Sequence, residues 1–338
     1  MKKSLIALAV LAASGASFAQ SSVTLYGIAD VWLGRQELMG VNSVKQTKIE
    51  SGGVSGSRFG FKGSEDLGGG LKANFVLEQG FSIDTGAAGT YVPNYAAPAT
   101  TATSAFSRYA YVGFSGGFGE VKLGKTGTAY DDIWGAGNSG FDSVLSANNE
   151  VFKSGGYNWN PANSIYYATP SMSGFSGAAS YTLGENKNAT VDAGAIASAQ
   201  VKYEAGPVMA ALAYQVEGLV KGVTPKTEFT RLVGSYNLGV AKLIAGFGQV
   251  KTSALTTNEW EIGADFPVSS ALTVSGGIAR STDNNAADTT RQGYSLAANY
   301  ALSKRTSVYG GYRAATTKAN GAADQDGSLL AVGVRHAF

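Results

Sequence analysis

The chain has 338 residues, with 26 lysines and arginines against 24 acidic residues, one histidine and no cysteine. That balance excludes a nucleic-acid partner, which needs a strong basic excess. Without cysteine there is neither a disulfide scaffold nor a Cys/His metal cluster, and a Ser-His-Asp hydrolase would depend on His336, two places from the C-terminus.

The first elements are a secretory signal. Lys2 and Lys3 form a charged n-region, residues 5–13 an apolar run, and Ser17, Phe18 and Ala19 a small-x-small cleavage site. The run is too short for a membrane-spanning helix, which needs ~20 apolar residues. A signal peptide over residues 1–19 leaves a mature chain, residues 20–338, with 24 cations and 24 acids. Glycine is abundant (46) and proline scarce (7), and tyrosine and phenylalanine number 17 and 15. A membrane β-barrel has this composition, because lipid-facing apolar residues alternate with polar lumen residues.

Short period-2 segments follow, separated in turn by short and long connections. Over residues 23–30, Thr24, Tyr26 and Asp30 share one face. Over 57–62, Phe59 and Phe61 oppose Arg58 and Lys62, and residues 64–70 read as a tight turn. Over 71–78, Leu71, Ala73, Phe75 and Leu77 oppose Lys72, Asn74 and Glu78. Residues 84–104 are a loop by composition. Strands over 106–114 and 120–125 flank a turn at 115–119, with Arg108 near the start of the first and Lys122 facing inward in the second.

Residues 126–163 carry neither helical nor strand periodicity. An unpatterned connection of this length inside a compact domain is usually functional. Beyond it, strands are expected near 163–169, 175–184, 195–205, 207–217, 229–237, 239–250, 258–266, 271–281, 291–301, 305–316 and 328–338. Trp260, Ile262, Ala264 and Phe266 against Glu261 and Asp265 show the alternation most clearly. The total is about sixteen. An even number of strands with short turns at one end predicts an all-β, 16-stranded antiparallel transmembrane β-barrel. At that size the lumen is too wide for side chains to fill, so the 126–163 loop is expected to fold inward and narrow a water-filled pore. A soluble sandwich or propeller is disfavoured, since no repeat of fixed period appears. The last strand places Leu330, Val332, Val334, His336 and Phe338 on one face and has to pair with the first to close the sheet.

Several stretches carry a family resemblance. They are Ser22-Val-Thr-Leu-Tyr-Gly-Ile-Ala-Asp30, Ser57-Arg-Phe-Gly-Phe-Lys62 with its continuation to Lys72, Val112-Gly-Phe-Ser-Gly-Gly-Phe-Gly119, Tyr167-Ala-Thr-Pro-Ser-Met-Ser-Gly-Phe175 and Arg335-His-Ala-Phe338. Together they make the mature chain resemble the general diffusion porins of β-proteobacterial outer membranes. The resemblance implies a homotrimer whose contact uses the first and last strands, set in outer-membrane lipid and lipopolysaccharide. It also implies a terminal strand, with His336 and Phe338, read by the barrel-assembly machinery. Arg58 and Arg108 match wall arginines of the pore constriction, Glu78 a wall acid, and Asp131, Asp132 and Asp142 acids of the inward loop. One departure stands out: Asn160 occupies a position where the family often has arginine, and Lys153 is the nearest cation. The implied function is passive diffusion of small hydrophilic solutes and ions with a weak anion preference, without catalytic residues, cofactor or metal.

A pore selects by diameter and fixed charge, and arginine keeps its charge at any working pH. Trp134 and Phe141 are expected to anchor the loop by packing, and Lys62, Lys72 and Lys122 to extend the basic stripe. The competing readings are a barrel enzyme, which lacks a usable histidine, and a structural or adhesive barrel without channel activity.

Overall fold

The computed structural model describes residues 22–40, 43–91, 102–184, 194–218 and 226–338. The expected signal peptide and residues 92–101 of the 84–104 loop lie outside them.

Seventeen strand segments form one sheet that closes on itself. Two of them, Lys45–Ser51 and Arg58–Gly68, pair with the same side of the first strand and are the halves of one barrel strand. The barrel therefore has sixteen: β1 (Ser22–Glu37), β2 (the two halves), β3 (Leu71–Gly80), β4 (Tyr109–Gly116), β5 (Gly119–Lys125), β6 (Ser164–Ala168), β7 (Phe175–Thr182) and β8 (Ile196–Ala205). The second half comprises β9 (Val208–Glu217), β10 (Thr227–Asn237), β11 (Lys242–Lys251), β12 (Thr256–Pro267), β13 (Leu272–Asp283), β14 (Thr290–Ala301), β15 (Thr306–Lys318) and β16 (Gln325–Ala337). Each pairs antiparallel with its sequence neighbour, and β1 closes on β16 from Ile28 opposite Ala337 to Glu37 opposite Ser328.

The alternation has a physical outcome. Leu212, Leu232, Phe247, Trp260, Ile262, Leu296, Leu330 and Val332 stand exposed on the outer face, while Arg231, Glu259, Glu261, Ser275, Ser295 and Leu329 are buried inside. In water such an apolar belt would be costly, at about 1.5–3 kcal/mol per large side chain. In a bilayer it is required, and closure leaves no unpaired strand edge in hydrocarbon.

The structure departs from the sequence expectations in three places. Lys45–Ser51 is a strand that the pattern does not reveal, because Ile49 is its one large apolar residue. Residues 64–70 are mostly strand rather than turn. Pairing continues past Asp66 through a register shift, and the reversal falls on Gly68, Gly69 and Gly70, all at positive φ (85°, 62° and 81°), where a side chain would be strained. The strand expected over 106–114 begins at Tyr109, so Arg108 stands one residue ahead of β4.

The buried packing of this molecule is the 126–163 segment against the inner wall. Tyr130, Ile133 and Tyr157 pack on Ala211, Ala213, Phe229, Val233 and Val250, with Trp134 beside them. Leu145 packs among Trp32, Ala297, Tyr309, Leu329 and Ala331, with Phe141 and Val144 at the margin. Ala147 and Val151 meet Ala279 and Ala315. The segment contains one α-helical turn, α1 (Asp131–Trp134), and two 3-10 turns, Gly135–Gly137 and Ser154–Gly156.

Candidate pore constriction

Polar anchors fix the segment across the lumen. On β12, the Glu259 carboxylate accepts from the Lys153 and Ser154 main-chain N–H groups and from the Ser154 hydroxyl. Two residues on, Glu261 accepts from the Ser139 N–H (2.8 Å) and hydroxyl (2.5 Å). Arg231 of β10, fully buried, donates to Asn138 Oδ1 at 2.5 Å and lies against the rings of Trp134 and Phe152, 4.5 and 5.1 Å from their centroids. Arg313 of β15 donates to the Val144 carbonyl at 2.7 Å and pairs with Glu150 at 3.1 Å. Hydrogen bonds involving a charged group contribute more than neutral ones, and a segment gripped from β10, β12 and β15 is held at several independent points.

On the wall across from these anchors, three of the expected residues meet. Arg108 Nε donates to Glu78 Oε1 at 2.6 Å, and Arg58 Nε lies 3.5 Å from Glu78 Oε2. The Tyr26 hydroxyl completes the carboxylate at 3.0 Å. Glu78 is buried, whereas both arginines stay half-buried. Both guanidinium groups thus share one carboxylate that is more deeply buried than either of them. Arg108 also stacks over Trp159, 4.8 Å from its centroid, and Arg58 Nη1 donates to the Gly56 carbonyl at 3.1 Å.

The three loop acids are not presented together. Asp142, at φ 50°, is exposed and accepts from Asn138 Nδ2 at 2.6 Å. It lines a space of about 420 Å³ between the segment and residues Gly52, Gly53, Val54 and Gly56 of the wall. Asp132 is exposed and takes the Tyr166 hydroxyl at 2.7 Å. Asp131 takes the Tyr157 hydroxyl at 2.5 Å. Burial pushes its carboxyl up to about 6, against the lowering effect of that bond. Lys153 has its main chain fastened at Glu259, eight strands on from Arg108. Lys62 lies over the Tyr26 ring, and Lys122 lies between Tyr111 and Tyr166 while pairing with Glu120 at 2.9 Å.

Sequence reasoning missed the wall's own inward projection. Residues 52–57 interrupt β2 and turn into the lumen. The buried Asp30 carboxylate accepts from the N–H groups of Gly53 (3.0 Å), Val54 (3.0 Å) and Ser55 (2.7 Å) and from the Tyr309 hydroxyl (2.5 Å). The Gly53 carbonyl in turn receives the Val144 N–H at 2.9 Å, joining this turn to the inward segment. An inward-facing aspartate on a first strand and the Gly-rich residues 52–56 were the available signals. A second space, of about 650 Å³, is lined by Gly56, Ser57, Ser107, Arg108, Trp159 and Asn160, among others.

At the terminus, Phe338 exchanges main-chain hydrogen bonds with Gly27, both 3.0 Å. Its ring covers that glycine so closely that a Cβ there would sit 2.3 Å from it. His336 is exposed on the outer face and bonds Thr306 Oγ1 at 2.8 Å.

A closed barrel with an apolar outer belt, a polar inner wall and an incompletely filled lumen is a transmembrane channel. Residues 5–320 match the family described as Gram-negative porin. The chain belongs to that family. It is 34% identical over 380 aligned residues, 100% of both chains, to outer membrane porin protein 32 of Delftia acidovorans. It is 30% identical to an outer membrane porin protein of Bordetella pertussis, over 80% of this chain and 74% of that one. Among solved structures, the anion-selective porin from Comamonas acidovorans superposes with a TM-score of 0.77 at 28% identity, over 94% of this chain and 100% of that one. The protein is thus an outer-membrane channel and not an enzyme.

Proposed function

We propose that the chain is a passive, water-filled channel for small hydrophilic solutes and ions with a weak anion preference. Its constriction lies where Arg58, Arg108 and Glu78 face the 126–163 segment. The observation that carries this reading is the pairing of two half-buried arginines with one buried carboxylate, which puts the guanidinium charges nearer the lumen water than their counter-charge. At physiological salt the Debye length is ~8 Å, so such a charge acts strongly only inside a narrow passage. Arg108 borders the space of about 650 Å³ and Asp142 the space of about 420 Å³ beside this wall. The exposed acids Asp132 and Asp142, and an Asn160 that is only 8% exposed, support a weak rather than a strong preference. A relative of like fold is described as anion-selective, which points the same way.

The wider expectations belong to the same proposal. Residues 1–19 direct export. The chain assembles as a homotrimer, and an outward apolar groove lined by Val31, Leu33, Ile49, Val308 and Val332 of the first and last strands supports that contact. The terminal strand with His336 and Phe338 engages the assembly machinery, and the apolar belt sits in lipid and lipopolysaccharide. The test is the zero-current potential of purified protein in a planar bilayer under a salt gradient. Discrete steps with an anion-favouring potential are expected; folded protein that gives no steps would remove the pore reading.

A further inference from the structure

Arg335 lies on the inward parity of β16: Val332, Val334 and His336 alternate with it, and all three face outward. It stands opposite Asp30 of β1, and two residues from Asp30 on the same strand, Ile28 stands opposite Arg58 of β2. Arg335 and Arg58 are thus separated by one strand on the same stretch of lumen wall. Arg335 Nε donates to Ser55 Oγ at 2.9 Å, in the same inward turn whose Gly56 carbonyl receives Arg58. The side chain is half-buried, so its charge meets lumen water.

The charges on this wall can be counted. Arg58 and Arg108 share Glu78. Asp30 is the other carboxylate, and its oxygens are taken by three main-chain N–H groups and a tyrosine hydroxyl. Two cations and two anions cancel, and Arg335 brings the wall to a net charge of plus one. Among the described residues, no carboxylate lies within ion-pair distance of its guanidinium.

We propose that Arg335 is a further selectivity-determining residue of this pore, supplying the uncompensated cation beside Arg58 that sets its preference for anions. The inference rests on the pore reading above. It assigns Arg335 more than the tethering of Ser55, because a tether needs only a donor, whereas selectivity needs a full charge.

The experiment measures the anion-over-cation permeability ratio from zero-current potentials in dilute potassium chloride gradients. It compares wild type, Arg335→Gln, Arg335→Lys and Ser55→Glu, each confirmed as a folded barrel by its heat-modifiable gel mobility. Arg335→Gln keeps a donor for Ser55 and removes the charge. The ratio is expected to fall about threefold or more, as for one unit charge roughly 6 Å from an ion in water. Arg335→Lys is expected to keep most of the preference, and the difference between wild type and Arg335→Gln to fade near 1 M salt, where screening shortens to ~3 Å. Ser55→Glu leaves Arg335 in place and neutralises it, so it is expected to reproduce the loss even if Arg335→Gln does not fold. An unchanged ratio in Arg335→Gln or Ser55→Glu would overturn the inference, as would Arg335→Lys losing the preference as fully as Arg335→Gln. A wild type that conducts with anion preference while these variants match it sinks the Arg335 assignment alone; a wild type without steps sinks the pore reading as well.

Discussion

Asn160 donates through Nδ2 to the main-chain carbonyl of Arg108 at 2.8 Å, and its own main-chain carbonyl receives Lys125 Nζ at 2.6 Å. The residue that replaces an expected pore arginine is therefore a fastener: it ties the end of the inward segment to the wall arginine. Asn160→Ala is expected to destabilise the barrel by about 1–3 kcal/mol, the usual cost of stranding buried hydrogen-bonding groups. Thermal unfolding in detergent checks this, and an unchanged midpoint would count against the role. Restoring arginine at this 8% exposed position is expected to destabilise rather than to add a pore charge.

Glu78 and Arg108 predict opposite effects from neighbouring positions. Glu78→Gln removes the shared carboxylate and leaves two guanidinium groups uncompensated, so the anion-over-cation ratio is expected to rise. Arg108→Glu reverses a charge and is expected to shift the ratio towards cations. Each change should exceed threefold by the Coulomb estimate for a unit charge ~6 Å away in water. Movement of both in the same direction would contradict the assignment.

Removing residues 134–150 takes out the part of the segment held by Arg231, Glu261 and Arg313. Single-channel conductance is expected to increase if this stretch obstructs the lumen. Equal conductance in a folded deletion variant would place the limiting aperture elsewhere.

The enclosed carboxyl of Asp131, with its proton affinity pushed up to about 6, predicts a pH effect. Above about 6 it is ionised and adds negative charge to the segment; below, it is neutral. Anion preference is expected to rise as pH falls from roughly 7.5 to 5, with Asp131→Asn flattening that step. The stability effect follows the sign of proton uptake. The folded chain holds this proton more tightly than the unfolded chain, whose aspartate titrates near ~3.9. This group's contribution therefore improves as pH falls from about 6 towards about 4 and is lost as pH rises.

The chain has no cysteine, so a single thiol can report on the inward turn. A Cβ added at Gly56 meets Arg108 Nη1 at 3.4 Å and nothing closer. Gly56→Cys is expected to fold and conduct. Attaching a bulky anionic thiol reagent should lower its current and shift selectivity towards cations, since the added charge sits within a Debye length of the path. Full modification, verified by mass, without change in current would place the turn outside that path.

Period-2 alternation is a local property, and it carried most of the barrel. Trp260 against Glu261 and Val334 against Arg335 declare their faces from sequence alone, because a strand in lipid has to be apolar on one side. The strand count and the closing terminal strand were legible for the same reason, and motif placed Arg58 and Arg108 on the wall. Lys45–Ser51 was not legible, since a short polar half-strand has too few apolar residues to show a period. Nor was the division of labour among the acids. Asp30, Glu78, Asp131 and Asp142 are chemically alike in the chain. Yet one holds a turn, one gathers two arginines, one is enclosed and one faces the lumen. Their roles come from which strands closure brings together: β1 beside β16 puts Asp30 next to Arg335, and the return of 126–163 across the lumen puts Asn160 under Arg108. Sequence determined the faces of this protein, because side-chain direction follows residue by residue. Which charges share a partner, and which remain free to act on an ion, was decided only by the closed tertiary structure, because those distances join residues tens to hundreds of positions apart.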